Sequence, residues 1–287
     1  MNNLLDILKR KRDIRWLVLW ATVLLAITVW DLLFLNAPSR KLVAEGFRNT
    51  FVIAFLVSGV TLLMGWGCAL ALHFLELKGK RNAYLAATFV MNLLRSVPQV
   101  VGVLFCYVLI AQGIEGGLLR ARAFIFPLMS ACMSLFIFVE MTDLLRARIA
   151  HFRRLDFYNA LRVCGVPEGR VINFDILWKN SRVHILNKLI SVFGMAVFLQ
   201  CSADFIISVG LSADVNAVNL PVTLGSLLAA YDSKQDIQAI AMIFSDPLYF
   251  FKLFTTHLQG VTVAFLIVFS LFAVDRISGE YAERHRL

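Results

Sequence analysis

Residue types that commonly perform chemistry are sparse in this chain and stand apart from one another. Its five histidines form no H-E-x-x-H pair or other metal-ligand spacing, and its five cysteines are single, with no C-x-x-C pair. The sequence also lacks a G-x-x-x-x-G-K-[ST] loop for nucleotide phosphates and a G-x-S-x-G turn for a nucleophilic serine. It therefore predicts no catalytic site, no cofactor and no metal site.

The stretch LDFYNALRVCGVPEGRVINFDILWKN, residues 155–180, is the most distinctive candidate for a functional site. Its apolar residues recur at the spacing of one helix face: Phe157, Ala160, Leu161 and Cys164. Gly165 is the residue type that ends helices, and Pro167 can begin a second helix in its first turn, with Glu168 at that helix's positive end. The sequence thus predicts a helix, a sharp turn and a helix, which is either an amphipathic connector or a docking element for a partner.

Long uncharged runs surround this stretch. The chain is 59% hydrophobic and only 16% charged, whereas soluble domains carry about 25% charged residues. Six runs are candidate membrane spans: 16–35, 50–74, 96–111, 123–139, 189–203 and 257–274. A helix needs about 20 residues to cross the hydrocarbon, so the third and fifth runs must borrow flanking residues. The predicted fold is an all-α polytopic membrane protein with about six transmembrane helices.

The distribution of positive charge predicts the orientation. With the N-terminus inside, the inner segments hold 21 of the 28 lysines and arginines, which favours cytoplasmic placement of both termini. The net charge of +9 then reflects membrane topology and not nucleic-acid binding. We divide the chain into residues 1–46, a basic segment with an uncleaved first anchor, and a core at 47–287. The core contains a cytoplasmic loop at about 145–188 and an external loop at about 204–256.

A few polar residues interrupt the spans. Asp31 and Asp204 lie near the predicted outer boundary, and we interpret them as interface positions that reach water, although an acid inside a span is a functional candidate by default. Asn92 and Gln99 flank an Arg-Ser-Val-Pro turn and either line a pore or satisfy a helix start. The loop 204–256 alternates apolar pieces with breaks, which is typical of short helices that lie at or re-enter the outer surface.

Residues 155–180, called the docking stretch below, resemble the cytoplasmic loop of permease subunits of bacterial ABC importers, which has the form E-A-A-x-x-x-G. Asn159-Ala160-Leu161 and Gly165 have that spacing. The branch serving dipeptides, oligopeptides and nickel is closer, since seven residues align with its loop without a gap: Ala160, Arg162, Gly165, Arg170, Ile172, Ile176 and Leu177. Asp175 and Trp178-Lys179 depart from that pattern. RSVPQVVGVLF at 95–105 is similar to the branch's Arg-Ser-Ile-Pro start of a span.

This resemblance implies a type I importer permease fold in a bacterial inner membrane and half of a translocation path for a solute, for which a peptide-like molecule is one candidate. The implied partners are a second permease subunit, two ATP-binding cassette ATPase subunits and a solute-binding protein, besides membrane lipid; ATP hydrolysis would reside in the ATPases. The implied ATPase-docking residues are Phe157, Asn159, Ala160, Leu161, Arg162, Gly165, Val166 and Pro167. The implied pore-entrance residues are Arg95, Ser96, Pro98 and Gln99. A secondary transporter or channel subunit is the alternative function, and a membrane enzyme is disfavoured.

Overall fold

Helices form because the long apolar runs must pair their backbone groups within their own segments. The computed structural model describes residues 12–35, 37–116, 124–210, 220–230, 241–249, 251 and 258–285. The helices are α1 Arg12–Phe34, α2 Ala37–Leu77, α3 Arg81–Ser96, α4 Gln99–Glu115, α5 Ile125–Arg153, α6 Asp156–Val163, α7 Glu168–Arg170, a π-helix Val171–Asn180, α8 Arg182–Gly210, α9 Leu224–Ala230 and α10 Leu258–His285. Residues 241–245 are helical as well.

Five of the described helices are long and apolar enough to cross a membrane: α1, α2, α5, α8 and α10. A sixth crossing is present if α3 and α4, which are bent by 92° at their junction, count as one span. The all-α prediction is therefore confirmed for the described residues, and helix length and hydropathy make the chain a candidate polytopic membrane protein. The described part of the chain contains five or six candidate crossings.

The third candidate span, residues 96–111, does not continue into the preceding apolar run as one straight helix. Pro98 lacks a backbone N–H, and Val97 before it adopts the extended conformation that precedes proline (φ −81°, ψ 124°). The apolar run 83–94 consequently forms α3, a separate amphipathic helix, and α4 is a second helix of 17 residues. The sharp bend brings Arg95, Ser96 and Gln99 to the start of α4.

The second helix is longer than the sequence predicts. Residues 36–49 appear as a polar loop by composition, but α2 begins at Ala37 and continues for 41 residues, roughly 60 Å at the rise of an α-helix. It packs closely on α5, where a Cβ on Gly65 would lie 2.6 Å from Cγ of Met141. The described core centres on this crossing. Its largest fully buried side chains there include Ile53, Met133, Ile137 and Met141.

Asp31 and Asp204 are buried, with 7% and 4% of each residue exposed, so the prediction that both reach water is wrong. The side chain of Asp204 accepts a hydrogen bond of 2.6 Å from Thr223 Oγ1, and only 4% of Asp204 is exposed. Asp31 lies near Thr262 of α10, with 3.5 Å between the side-chain oxygens. Each acid joins a span to another element of the fold.

The predicted external segment contributes a short helix to the bundle. The seven-residue α9 lies among α2, α8 and α10, and a Cβ on Gly225 would meet the carbonyl oxygen of Cys201 at 2.5 Å. Only glycine allows this approach without a backbone shift. Residues 211–219, 231–240, 250 and 252–257 of the segment lie outside the described residues.

Candidate partner-docking site

The helix–turn–helix predicted for the docking stretch is present, and local backbone geometry explains it. Gly165 has φ +80°, and the N–H groups of Gly165 and Val166 donate to the carbonyl oxygens of Arg162 (3.0 Å) and Leu161 (3.1 Å). These two bonds form the Schellman motif that ends helices at a left-handed glycine. Pro167 caps the next helix, whose first residue is Glu168, one position later than the sequence predicts.

The two faces of α6 have different environments. Tyr158 and Leu161 point inward and pack, half-buried, against the main core. The outward apolar face consists of Phe157, Ala160, Val163 and Cys164. Val163 is 88% exposed and Phe157 is 41% exposed. α6 therefore packs inward through Tyr158 and Leu161 and leaves its other apolar face exposed among the described residues.

Hydrogen bonds fasten the loop to the end of α2. Oε1 of Glu168 accepts a hydrogen bond of 2.7 Å from the Tyr158 hydroxyl and lies 3.2 Å from Nε2 of His73. Further along, Trp66 Nε1 donates to Oδ1 of Asn173 at 2.7 Å. The loop is thus held at two points on one long helix.

The implied docking residues divide between the two faces. Phe157, Asn159 and Ala160 are exposed, and the Phe157 ring meets the Phe152 ring edge-on at 6.4 Å. Leu161 and Val166 are half-buried against the chain's own core and serve its internal packing, so Leu161 is not part of the outward apolar face. Arg162 turns back toward Glu168, with 3.8 Å between NH2 and Oε2. Gly165 and Pro167 shape the turn.

The implied pore-entrance residues are engaged within the protein. Arg95 pairs with Asp143, the Ser96 hydroxyl donates to the Leu93 carbonyl, and Gln99 Nε2 donates to Glu140 Oε1 at 3.1 Å. Lys188 of α8 completes this group through a 2.6 Å ion pair with Glu140. Pro98 caps α4. The described contacts hold the bend against α5 and α8 and do not by themselves identify a pore.

The sequence did not indicate that Val163 belongs to the outward apolar face, nor that hydrogen bonds hold the loop to α2. Val163 lies six positions after Phe157, a spacing that the i, i+3, i+4, i+7 pattern does not include. Val163 nevertheless belongs to the same broad helix face as Phe157. His73 and Trp66 are separated in sequence from their partners by 95 and 107 residues. No local pattern indicates such pairs.

The hydrogen bonds that the Glu168 carboxylate makes with Tyr158 and His73 predict that the protein loses stability in acid. Burial raises the pKa of Glu168, but the hydrogen bonds from Tyr158 and His73 and the charge of Arg162 outweigh it, and the pKa lies below its ordinary 4.5. A lowered folded-state pKa contributes stability above pH 4.5 that is lost as the pH falls through the folded pKa. We expect the thermal midpoint in detergent to fall over this range by less in Glu168→Gln than in the wild type. Identical pH profiles would contradict the charged role of Glu168.

The chain matches no protein-family model and no curated protein.

Proposed function

We propose that this chain is the permease subunit of a bacterial ABC importer with the type I permease fold. It provides half of a translocation path for a solute delivered by a binding protein. The observation that carries the proposal is α6, an eight-residue helix with an outward apolar face and an inner face fixed to a membrane-span helix. Helix-in-groove docking uses such a helix, with small and apolar residues entering a groove of the partner.

The contacts around α6 support a mechanical role. An ATPase that moves α6 acts on α2 through the Glu168 and Trp66–Asn173 hydrogen bonds. It acts on α8 through the π-helix, which runs into Arg182 after the buried residue Ser181. ATP hydrolysis resides in two separate ATPase subunits, and a second permease subunit completes the path. A purified chain without these subunits is expected to lack ATPase activity.

Cys164 offers a direct test of the orientation. It is the exposed cysteine among the five, whereas three are half-buried and Cys201 is buried. With the loop and both termini cytoplasmic, and in cells that express the chain without the ATPase subunits, a membrane-impermeant maleimide is expected to label Cys164 only after permeabilisation, because the reagent cannot cross the membrane. Cys164→Ser serves as the control for background labelling. Labelling of Cys164 from outside in intact cells contradicts the orientation.

The same cysteine tests the partner. Cys164 belongs to the outward apolar face, so bound ATPase subunits are expected to protect it from maleimide in inside-out vesicles. Protection should disappear when the ATPase subunits are stripped from the vesicles. Equal labelling rates with and without the ATPases, at saturating ATPase, contradict docking at α6 and leave the orientation result unaffected.

A secondary transporter is the second candidate, favoured by the buried acid Asp204. Acids inside membrane helices often belong to ion or proton pathways, and Asp204 lines a cavity of about 260 Å³ together with Ser208 and Ser226. The two candidates differ in their need for ATP. Solute uptake into liposomes that contain the permease without ATPase subunits favours the secondary transporter.

A further inference from the structure

An apolar groove lies where the π-helix meets the beginning of α8. It has a volume of about 540 Å³ and is walled by α2, the π-helix and α8. The main lining residues are Leu62, Trp66, Phe174, Trp178, Leu186 and Leu189. Trp178 is 66% exposed and Phe174 is 51% exposed, so the aromatic wall is open to the surroundings.

The rim of the groove is positively charged. Lys179 and Arg182 line it, and among the described residues neither forms an ion pair. The π-helix contains one acidic residue, Asp175, which makes no ion pair with either cation within 4 Å among these residues. Lys179 and Arg182 thus lie beside an apolar surface without an ion-pair partner in the part of the chain that the structure describes.

The position of the groove along α8 indicates where it lies relative to the membrane. Arg182 is the first residue of a membrane-span helix, and the groove extends from there along α8 to Leu189. Its charged end is therefore expected at the boundary between water and hydrocarbon, and the groove leads to Leu189, where the uncharged run 189–203 begins. Tryptophan is enriched at this boundary because its ring combines an apolar body with a polar N–H.

We propose that this groove binds one anionic phospholipid, with the phosphate at Lys179 and Arg182 and an acyl chain along the aromatic wall. Charge complementarity favours an anionic lipid over a zwitterionic one, since basic pockets beside span helices retain anionic headgroups. An acyl chain matches the aliphatic and aromatic lining. The proposal requires that the chain span a membrane and is independent of the importer function.

Quenching of Trp178 fluorescence by brominated lipid tests the proposal. The full-length protein is placed in bilayers that contain either brominated phosphatidylglycerol or brominated phosphatidylcholine. Subtracting the signal of Trp178→Phe isolates Trp178 from the other four tryptophans. The expected result is that phosphatidylglycerol quenches Trp178 at about tenfold lower mole fraction than phosphatidylcholine, because two basic residues attract its charge.

The variant Lys179→Gln/Arg182→Gln is expected to bring the two lipids to equal quenching. Lys78→Gln/Lys80→Gln removes the same charge from exposed positions away from the groove and should keep the preference. Equal quenching of wild-type Trp178 by both lipids, or a preference that survives Lys179→Gln/Arg182→Gln, overturns the proposal. An absence of quenching by either lipid also overturns it, because the groove is then covered by protein, such as a second copy of the chain.

Discussion

Replacing Ala160 with glutamate is expected to abolish ATPase binding and transport while the protein still inserts into the membrane at the wild-type level. Ala160 lies in the middle of the outward face of α6, near Phe157 and Val163, and its side chain is exposed. The substitution breaks no described internal contact of its side chain. In a docked complex the new carboxylate would be buried without a partner, which costs about 3 kcal/mol or more and weakens binding over a hundredfold.

Asn159→Glu is the matched control. It adds the same charge to the same helix, at an exposed position beside the apolar face and where the E-A-A motif of the similar permeases carries glutamate. We expect near-normal ATPase affinity and transport-coupled ATP turnover in liposomes for this variant. Full ATPase affinity in Ala160→Glu would mean that the outward face of α6 is not the docking surface.

Signals carried by neighbouring residues were sufficient to predict most of the long apolar helices and the turn at Gly165. An uncharged run of span length has few alternatives to a helix in a membrane, which explains the success at residues 50–74 of α2 and at the 123–139 run of α5. Gly165 and Pro167 determine their own backbone conformations, so the turn between two helices followed from two residues. Polar composition was a poor guide at residues 37–49, because Arg40, Lys41 and Glu45 are compatible with a helix.

Burial and pairing could not be predicted in the same way, because they depend on contacts between distant segments. Asp204 looked exposed by its place in the sequence, but Thr223 and the α9 helix cover it. Leu161 and Ala160 are adjacent in sequence, and only the packed structure distinguishes the inward side chain from the outward one. The two apolar faces of α6 could therefore be distinguished only from the position of the core.

Gly165→Val is expected to uncouple ATP hydrolysis from transport. The added Cβ would meet no other atom within 4 Å, so the effect arises from the φ of +80° and not from a clash. A β-branched residue in this conformation costs roughly 1–2 kcal/mol. Relief of that strain rotates the chain after α6 and pulls Glu168 away from Tyr158 and His73. Movement of α6 then reaches α2 only through the Trp66–Asn173 hydrogen bond, and transport per ATP hydrolysed should fall severalfold.

Gly79→Val separates coupling from general strain, because Gly79 has φ +66° and equally open surroundings but lies outside the docking loop. It should lower the thermal midpoint by a similar amount and leave the ratio of transport to ATP hydrolysis unchanged. Gly165→Asn should retain much of the coupling, since asparagine tolerates the left-handed conformation better than valine does. If Gly165→Val and Gly79→Val reduce coupling equally, the loss reflects stability alone. If neither reduces it, the turn at Gly165 is a connector and does not transmit the motion of an ATPase.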